Sequence, residues 1–134
     1  MENTSNTIET RTSSVWLGAD NIIRIIKKPG CEENLEDAKE VIAAITEISK
    51  DKTYPSLVNF RGLKSQDEEA QKFYADWFTE KQGNACALII GAFDNQALAK
   101  DFVEDKHPTT PTKVFRTEDS ALTWLRGFLR QEEF

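Results

Sequence analysis

The feature that most constrains the fold is an apolar run in the second half of the chain, Cys86 to Ile90. The run contains no charged or hydrogen-bonding polar side chain, so a strand built from it has two apolar faces. Such a strand is typical of the centre of a parallel sheet that is covered on both sides. The run therefore predicts an α/β protein with a buried central strand.

Four segments with apolar side chains at helical spacing follow strand-like runs along the chain. Residues of the type that cap helices stand where each of these segments begins. Asn34 has Asp37 three residues on, and Ser65 with Glu68 has the form of a capping box. The four candidate caps are Asn34, Ser65, Asp94 and Thr117.

The strand-like runs are residues 9–17, 22–26, 56–60, 86–90 and 113–116. A Gly-Ala-Asp-Asn turn joins the first two into a hairpin. The predicted order is β-β-α-β-α-β-α-β-α. Because crossovers between parallel strands are right-handed, this order gives a five-stranded mixed sheet with one antiparallel edge strand.

One domain is expected, because the chain has 134 residues. Residues 1–8 are polar and are predicted to form a flexible tail, which leaves residues 9–134 as the single domain. Hydrophobic residues make up 39% of the chain, which is too apolar for a disordered protein.

Charge and hydropathy exclude several classes of partner. The net charge of -6 disfavours nucleic acid and anionic membrane surfaces. The longest apolar stretch is far shorter than the roughly twenty residues of a membrane span, so no membrane insertion is expected. No secretory signal is visible, and Cys31 and Cys86 have no ligand or disulfide spacing. A cytoplasmic protein is predicted.

The residues that usually carry catalysis are scarce. His107 is the single histidine, and it precedes Pro108 in a predicted loop. The glycines form no phosphate-binding motif. Acidic residues cluster at residues 32–37 and 67–69, where predicted helices begin and the helix dipole favours negative charge. We therefore expect no catalytic residues, no metal, no cofactor and no enzyme activity.

Two stretches carry a resemblance to a known family. Residues 111–125, PTKVFRTEDSALTWL, and residues 54–63, YPSLVNFRGL, are the clearest. Residues 16–18 and 28–30 extend the likeness over nearly the whole chain. In order and spacing the chain resembles the bacterial STAS/SEC14-like (SpoIIAA-like) domain family of uncharacterised proteins. The resemblance implies a SpoIIAA-like fold, with helices mainly on one face of the sheet.

The resemblance also points to one loop. In STAS relatives that act as anti-sigma-factor antagonists, a kinase phosphorylates a serine near this position, and Ser65 is the nearest equivalent. Their Asp-Ser-Ser-Gly pattern is missing, and Asn59 stands where Asp is usual. Ser65 is thus a helix cap or a switch. Asn59 and Arg61 form a solvated strand end or line a binding crevice. The candidate interaction or switch loop comprises Asn59, Arg61, Gly62, Lys64 and Ser65.

The sequence favours a non-enzymatic regulatory or protein-interaction module of the STAS-like type. A protein partner is expected, and a homodimer would cover Ile22 and Ile26 if helices shield only one sheet face. The alternative is a binder of a small apolar or lipid-like ligand, by the SEC14 side of the resemblance.

Overall fold

The computed structural model describes residues 7–50, 52–80, 85–91, 96–100 and 111–132. Within these ranges the elements follow one another as β1 (Ile8–Glu9), β2 (Ser13–Leu17), β3 (Ile23–Lys27), β4 (Cys31–Glu33), α1 (Leu35–Ser49), β5 (Ser56–Asn59), β6 (Leu63–Gln66), α2 (Glu68–Glu80), β7 (Cys86–Ile89), α3 (Gln96–Lys100), β8 (Thr112–Phe115) and α4 (Glu118–Glu132).

The main sheet has the order β1-β2-β3-β5-β7-β8. Strand β2 runs antiparallel to both of its neighbours, and β3, β5, β7 and β8 are parallel. The mixed α/β sheet is confirmed, but the count of five strands is wrong. Ile8 pairs with Val15 and Glu9 with Ser14, so the predicted tail extended too far into the chain and β1 is the edge strand instead of β2.

Three helices pack on one face of the main sheet and α4 packs on the other. Val15, Ile25, Val58 and Leu88 belong to the core beneath α1, α2 and α3. Leu57, Ala87 and Ile89 belong to a second cluster with Ala121, Leu122 and Leu125 of α4. Strand β7 is therefore covered on both faces, as its sequence predicts. No helix within the described ranges is long and apolar enough to cross a membrane.

The second cluster changes one expectation for the sheet surface. Ile22 is 0% exposed because it belongs to the cluster beneath α4. Ile22 therefore needs no cover from another subunit, whereas Ile26 remains half-buried.

Two of the candidate helix caps are confirmed. The backbone N–H of Asp37 donates to Asn34 Oδ1 at 3.0 Å, and the N–H of Asn34 donates to Asp37 Oδ2 at 2.9 Å, which completes a capping box. The N–H of Ser120 donates to Thr117 Oγ1 at 3.2 Å at the start of α4. Asp94 lies outside the described residues.

A second, two-stranded sheet replaces part of the predicted loop and the predicted cap at Ser65. Strands β4 and β6 pair in parallel, so Lys64 and Ser65 lie in a strand. Helix α2 begins at Glu68, and the carbonyl of Asp67 accepts the first helical N–H, from Gln71. The Ser65 capping box is therefore wrong, because the backbone of Ser65 is already committed to pairing with β4.

Candidate interaction site at the carboxyl edge of the sheet

Four parallel strands end at one edge of the main sheet, which we call the carboxyl edge. Strands β3, β5, β7 and β8 end there with Lys27, Asn59, Ile89 and Phe115. Open α/β sheets commonly bind ligands at this edge. The predicted loop directly follows β5, so its first residues lie at the carboxyl edge.

Asn59 and Arg61 tie the turn after β5 to the end of β8. The backbone N–H of Arg61 donates to Asn59 Oδ1 at 2.9 Å. The Arg61 guanidinium donates through one nitrogen to the carbonyl of Arg116, at 2.7 Å. The Asn59 side chain therefore fixes the backbone of the turn at Arg61. The exposed Arg61 side chain extends across the surface to the residue that follows β8.

Gly62 allows the turn to lie directly against the backbone that follows β3. A Cβ atom at this position would lie 2.7 Å from the carbonyl oxygen of Lys27, which is shorter than real contacts allow. The carbonyl of Gly62 also accepts from the N–H of Gly30 at 2.7 Å. Gly62 is therefore required for close approach of two backbone segments.

Lys64 and Ser65 lie beyond the turn, in β6. Lys64 is exposed, and the half-buried Ser65 lies opposite Glu32 of β4. The structure thus brings Asn59, Arg61 and Gly62 together at the carboxyl edge, whereas Lys64 and Ser65 belong to the small sheet beside it.

A buried cluster of polar side chains holds the small sheet in place. Its members are Thr12, Lys27, Glu33, Gln66 and Tyr74. Glu33 Oε2 accepts from Lys27 Nζ at 2.9 Å, from Thr12 Oγ1 at 2.7 Å and from Tyr74 OH at 3.0 Å. Glu33 Oε1 accepts from Gln66 Nε2 at 2.7 Å. Strands β4 and β6 are thereby joined to β3 and α2.

Burial and charge act in opposite directions on this cluster. Burial raises the pKa of Glu33, but the Lys27 ammonium and the hydrogen bonds from Gln66 and Thr12 outweigh burial and hold that pKa below its ordinary value. Burial, together with the Glu33 carboxylate, raises the pKa of Tyr74 well above its ordinary value. At neutral pH the cluster therefore contains an ionised Glu33 and a neutral Tyr74.

The sequence interpretation missed this cluster. Glu33 was assigned to the acidic start of α1, but its side chain is 0% exposed and that of Lys27 only 2%. A local pattern gives no sign of the pairing, since Gln66 and Tyr74 are distant in the chain. Lys27 at the end of an apolar strand was the one available signal, because Lys is almost never fully buried without a partner.

Arg61 and Arg116, which we call the arginine pair, are both exposed at the carboxyl edge. The ion pairs among the described residues involve other cations, so neither guanidinium is neutralised by a described carboxylate. Glu118 and Asp119 follow in the first turn of α4 without pairing to them. The edge therefore presents two exposed arginines without an ion-pair partner among the described residues, in a chain whose net charge is -6.

A small cavity lies in the core between the sheet and the first two helices. Its volume is about 20 Å³, and Lys27, Gln66 and Tyr74 lie at its wall beside apolar side chains. This volume suits about one water molecule.

His107, the only histidine, lies outside the described residues.

The architecture places the chain among the SpoIIAA-like α/β domains. A solved structure described as an uncharacterized protein from the DUF3478 family with a SpoIIAA-like fold, from Shewanella loihica PV-4, aligns with a TM-score of 0.58. The alignment covers 89% of this chain and 90% of that chain, at 14% sequence identity. The expected SpoIIAA-like fold is confirmed.

A family model described as "Domain of unknown function (DUF7793)" matches residues 15–129, and the chain belongs to that family. A second solved structure, of a protein with unknown function from Arthrobacter sp. FB24, is 26% identical, covers 84% of this chain and 97% of that chain, and has a TM-score of 0.34. No curated protein matches the chain.

Proposed function

We propose that this chain is a non-enzymatic protein-interaction module that binds a protein partner through the carboxyl edge of its sheet. The observation that carries the proposal is the arginine pair. Arg61 and Arg116 are joined by a 2.7 Å hydrogen bond, and both are exposed without a described carboxylate to neutralise them. Arginine is enriched where protein partners bind most strongly, and such charges guide association.

The turn that carries Arg61 is held before any partner arrives. Asn59 accepts the N–H of Arg61, and Gly62 packs directly against the backbone at Lys27. A surface that is already ordered loses less conformational entropy on binding, which favours affinity. Asn59 and Gly62 thus support the proposal as positioning residues.

The chemistry of the interior also supports a module without catalysis, in the cytoplasm. Glu33 and Tyr74, whose pKa values their buried surroundings shift, hydrogen-bond each other inside the fold and hold elements together. Cys31 and Cys86 are both free thiols, which agrees with a reducing compartment.

The experiment compares the partners captured by two charge-reversal variants. The Arg61→Glu/Arg116→Glu protein removes the arginine pair, and Lys39→Glu/Lys72→Glu reverses two exposed helix cations elsewhere as a matched control. After crosslinking in the native host, we expect a defined set of proteins with the wild type and the control, and its loss with the edge variant. Equal capture by all three proteins, each folded by circular dichroism, would contradict the proposal.

A groove at the opposite edge favours a second candidate function, the binding of a small apolar or lipid-like ligand. The groove has a volume of about 400 Å³ and is lined by Leu17, Ile48, Tyr54, Lys50 and Lys52, with Ser49. Ligand sites commonly have such volumes. Native mass spectrometry of freshly purified protein tests this candidate, since a bound small molecule would favour it and an unliganded mass would oppose it.

The part of the sheet beyond the strands that α4 contacts supports a homodimer as one form of the interaction. Trp16 and Ile26 lie on the α4 side of β2 and β3, whereas α4 contacts β5, β7 and β8. Both side chains are half-buried, and a second copy would cover them. Light scattering at high micromolar concentration should report a dimer for the wild type and a monomer for Ile26→Glu. A monomeric wild type would oppose the dimer.

A further inference from the structure

Three aromatic side chains continue from the arginine pair along α4. The rings of Phe115 and Trp124 lie 5.6 Å apart between centroids, and those of Trp124 and Phe128 lie 4.9 Å apart in an edge-to-face arrangement. All three residues are half-buried, so each leaves part of its surface accessible to solvent. We call Phe115, Trp124 and Phe128 the aromatic row.

The aromatic row and the arginine pair meet at the end of β8. Phe115 is the last residue of β8, and Arg116 follows it directly. The carbonyl of Arg116 accepts from Arg61. Beneath the row, Ala121, Leu122 and Leu125 of α4 are buried against the sheet. The row is therefore carried by a packed helix and by the end of a strand.

We propose that this surface recognises an acidic protein segment that also carries apolar side chains. The inference rests on the proposed function and names its partner class. The apolar side chains of such a segment would lie on the aromatic row, and its carboxylates would meet the arginine pair. Tryptophan and arginine are both enriched among the residues that contribute most to binding at protein interfaces.

Charge separates this partner from two others. A nucleic acid would also meet aromatics and cations, but it carries a phosphate on every nucleotide. Two arginines suit a few carboxylates better than a continuous polyanion. A second copy of this chain has a net charge of -6. It would fit this surface only through a segment in which acidic and apolar residues stand side by side.

The test is a selection of random 12-residue peptides displayed on phage against the immobilised full-length protein. Selected peptides are then measured by fluorescence anisotropy against the wild type, Arg61→Glu/Arg116→Glu and the control Lys39→Glu/Lys72→Glu. We expect the enriched peptides to combine Asp or Glu with Leu, Ile, Phe or Trp. Their affinity should fall about tenfold or more with the edge variant and remain unchanged with the control.

Peptide variants keep the test independent of changes to the packed core. Replacing Glu by Gln, or Leu by Ser, in a selected peptide should each weaken binding to the wild type. Basic or purely polar peptides whose binding still requires the arginine pair would overturn the inference and leave the proposed function standing. Peptides indifferent to the edge variant would overturn both. No enrichment over a blank surface, or tighter binding of a fluorescein-labelled oligothymidine, would overturn the inference.

Discussion

At the scale of single residues, the polar contacts of the fold are of two kinds, those within one turn of a helix and those between distant elements. Asn34 and Asp37 bond to each other within one turn, so the sequence predicts their capping box. Asn59 and Arg61 were correctly placed at the end of a parallel strand. Glu33 was assigned to a helix start, because its partners Gln66 and Tyr74 are 33 and 41 residues away in the chain. Only the folded chain brings these groups together.

The Lys27–Glu33 ion pair gives the first prediction. Lys27→Met would leave a buried carboxylate without its counter-charge, and we expect the free energy of unfolding to fall by about 3–5 kcal/mol. Glu33→Leu should also be costly, but Lys27→Met/Glu33→Leu should lose clearly less than the sum of the single changes. Urea unfolding at pH 7 measures all three. Additive losses would show that the two charges are not coupled.

A second prediction concerns Gly62. In Gly62→Ala the new methyl group would lie 2.7 Å from the main-chain oxygen of Lys27, so the backbone must shift, and we expect a loss of about 1–3 kcal/mol. Gly127 in α4 is the matched control, because a Cβ there has no neighbour within 4 Å. Gly127→Ala should stabilise the protein by about 0.5–1 kcal/mol. The same sign for both variants in thermal unfolding would refute the argument.

At the scale of elements, the small sheet shows where pattern reading reached its limit. Ser65 and Glu68 have the spacing of a capping box, but pairing between β4 and β6 prevails and α2 begins at Glu68. Strands of three and four residues have too few side chains to show a period. The helices α1, α2 and α4 are long enough for the periodicity to show, and these were placed correctly apart from their ends.

The pairing of Ser65 with Glu32 gives a prediction for the small sheet. The hypothesis that Ser65 is phosphorylated stays a prediction, and Ser65→Glu imitates part of that charge. Because Glu32 lies opposite, we expect like charges to cost about 0.2–1 kcal/mol and to speed hydrogen exchange in β4 and β6. Ser65→Gln introduces a side chain of nearly the same shape as the glutamate but without its charge, so it serves as the control. Equal exchange rates in the two variants would exclude charge repulsion.

At the scale of the whole molecule, the sequence predicted the fold class but not the number of strands or the path of α4. The apolar run in β7 indicates cover on both faces, and α4 supplies the second cover. The number of strands was missed because β1 has only two residues. Apolar residues at helical spacing show which face of α4 is buried. They do not show which strands that face packs against.

The pH dependence of overall stability is the fourth prediction. The Arg11 guanidinium lowers the pKa of Asp37, and the pKa of Glu33 is also lowered, so the folded state holds fewer protons than the unfolded state in acid. Stability is therefore present above about pH 5 and is lost as pH falls through the lowered pKa values. The raised pKa of Tyr74 gives a second loss as pH rises beyond about 10.

Urea unfolding from pH 2 to pH 11 measures both limbs of this profile. Glu33→Gln should be less stable at pH 7 and should show a shallower decline in acid, since one titrating carboxyl is gone. An acid limb with an unchanged slope would mean that Glu33 does not contribute to it.

The buried cluster has a consequence for how the chain reaches its native state. Its five side chains come from distant points of the sequence, and the Glu33 carboxylate gives up its hydration only when four donors replace it. In a partly folded chain in which α2 has not docked, the Glu33 carboxylate must stay hydrated and β4 must stay unpaired with β6. We therefore expect the docking of α2 and the pairing of β4 with β6 to occur together, in a single late step of folding.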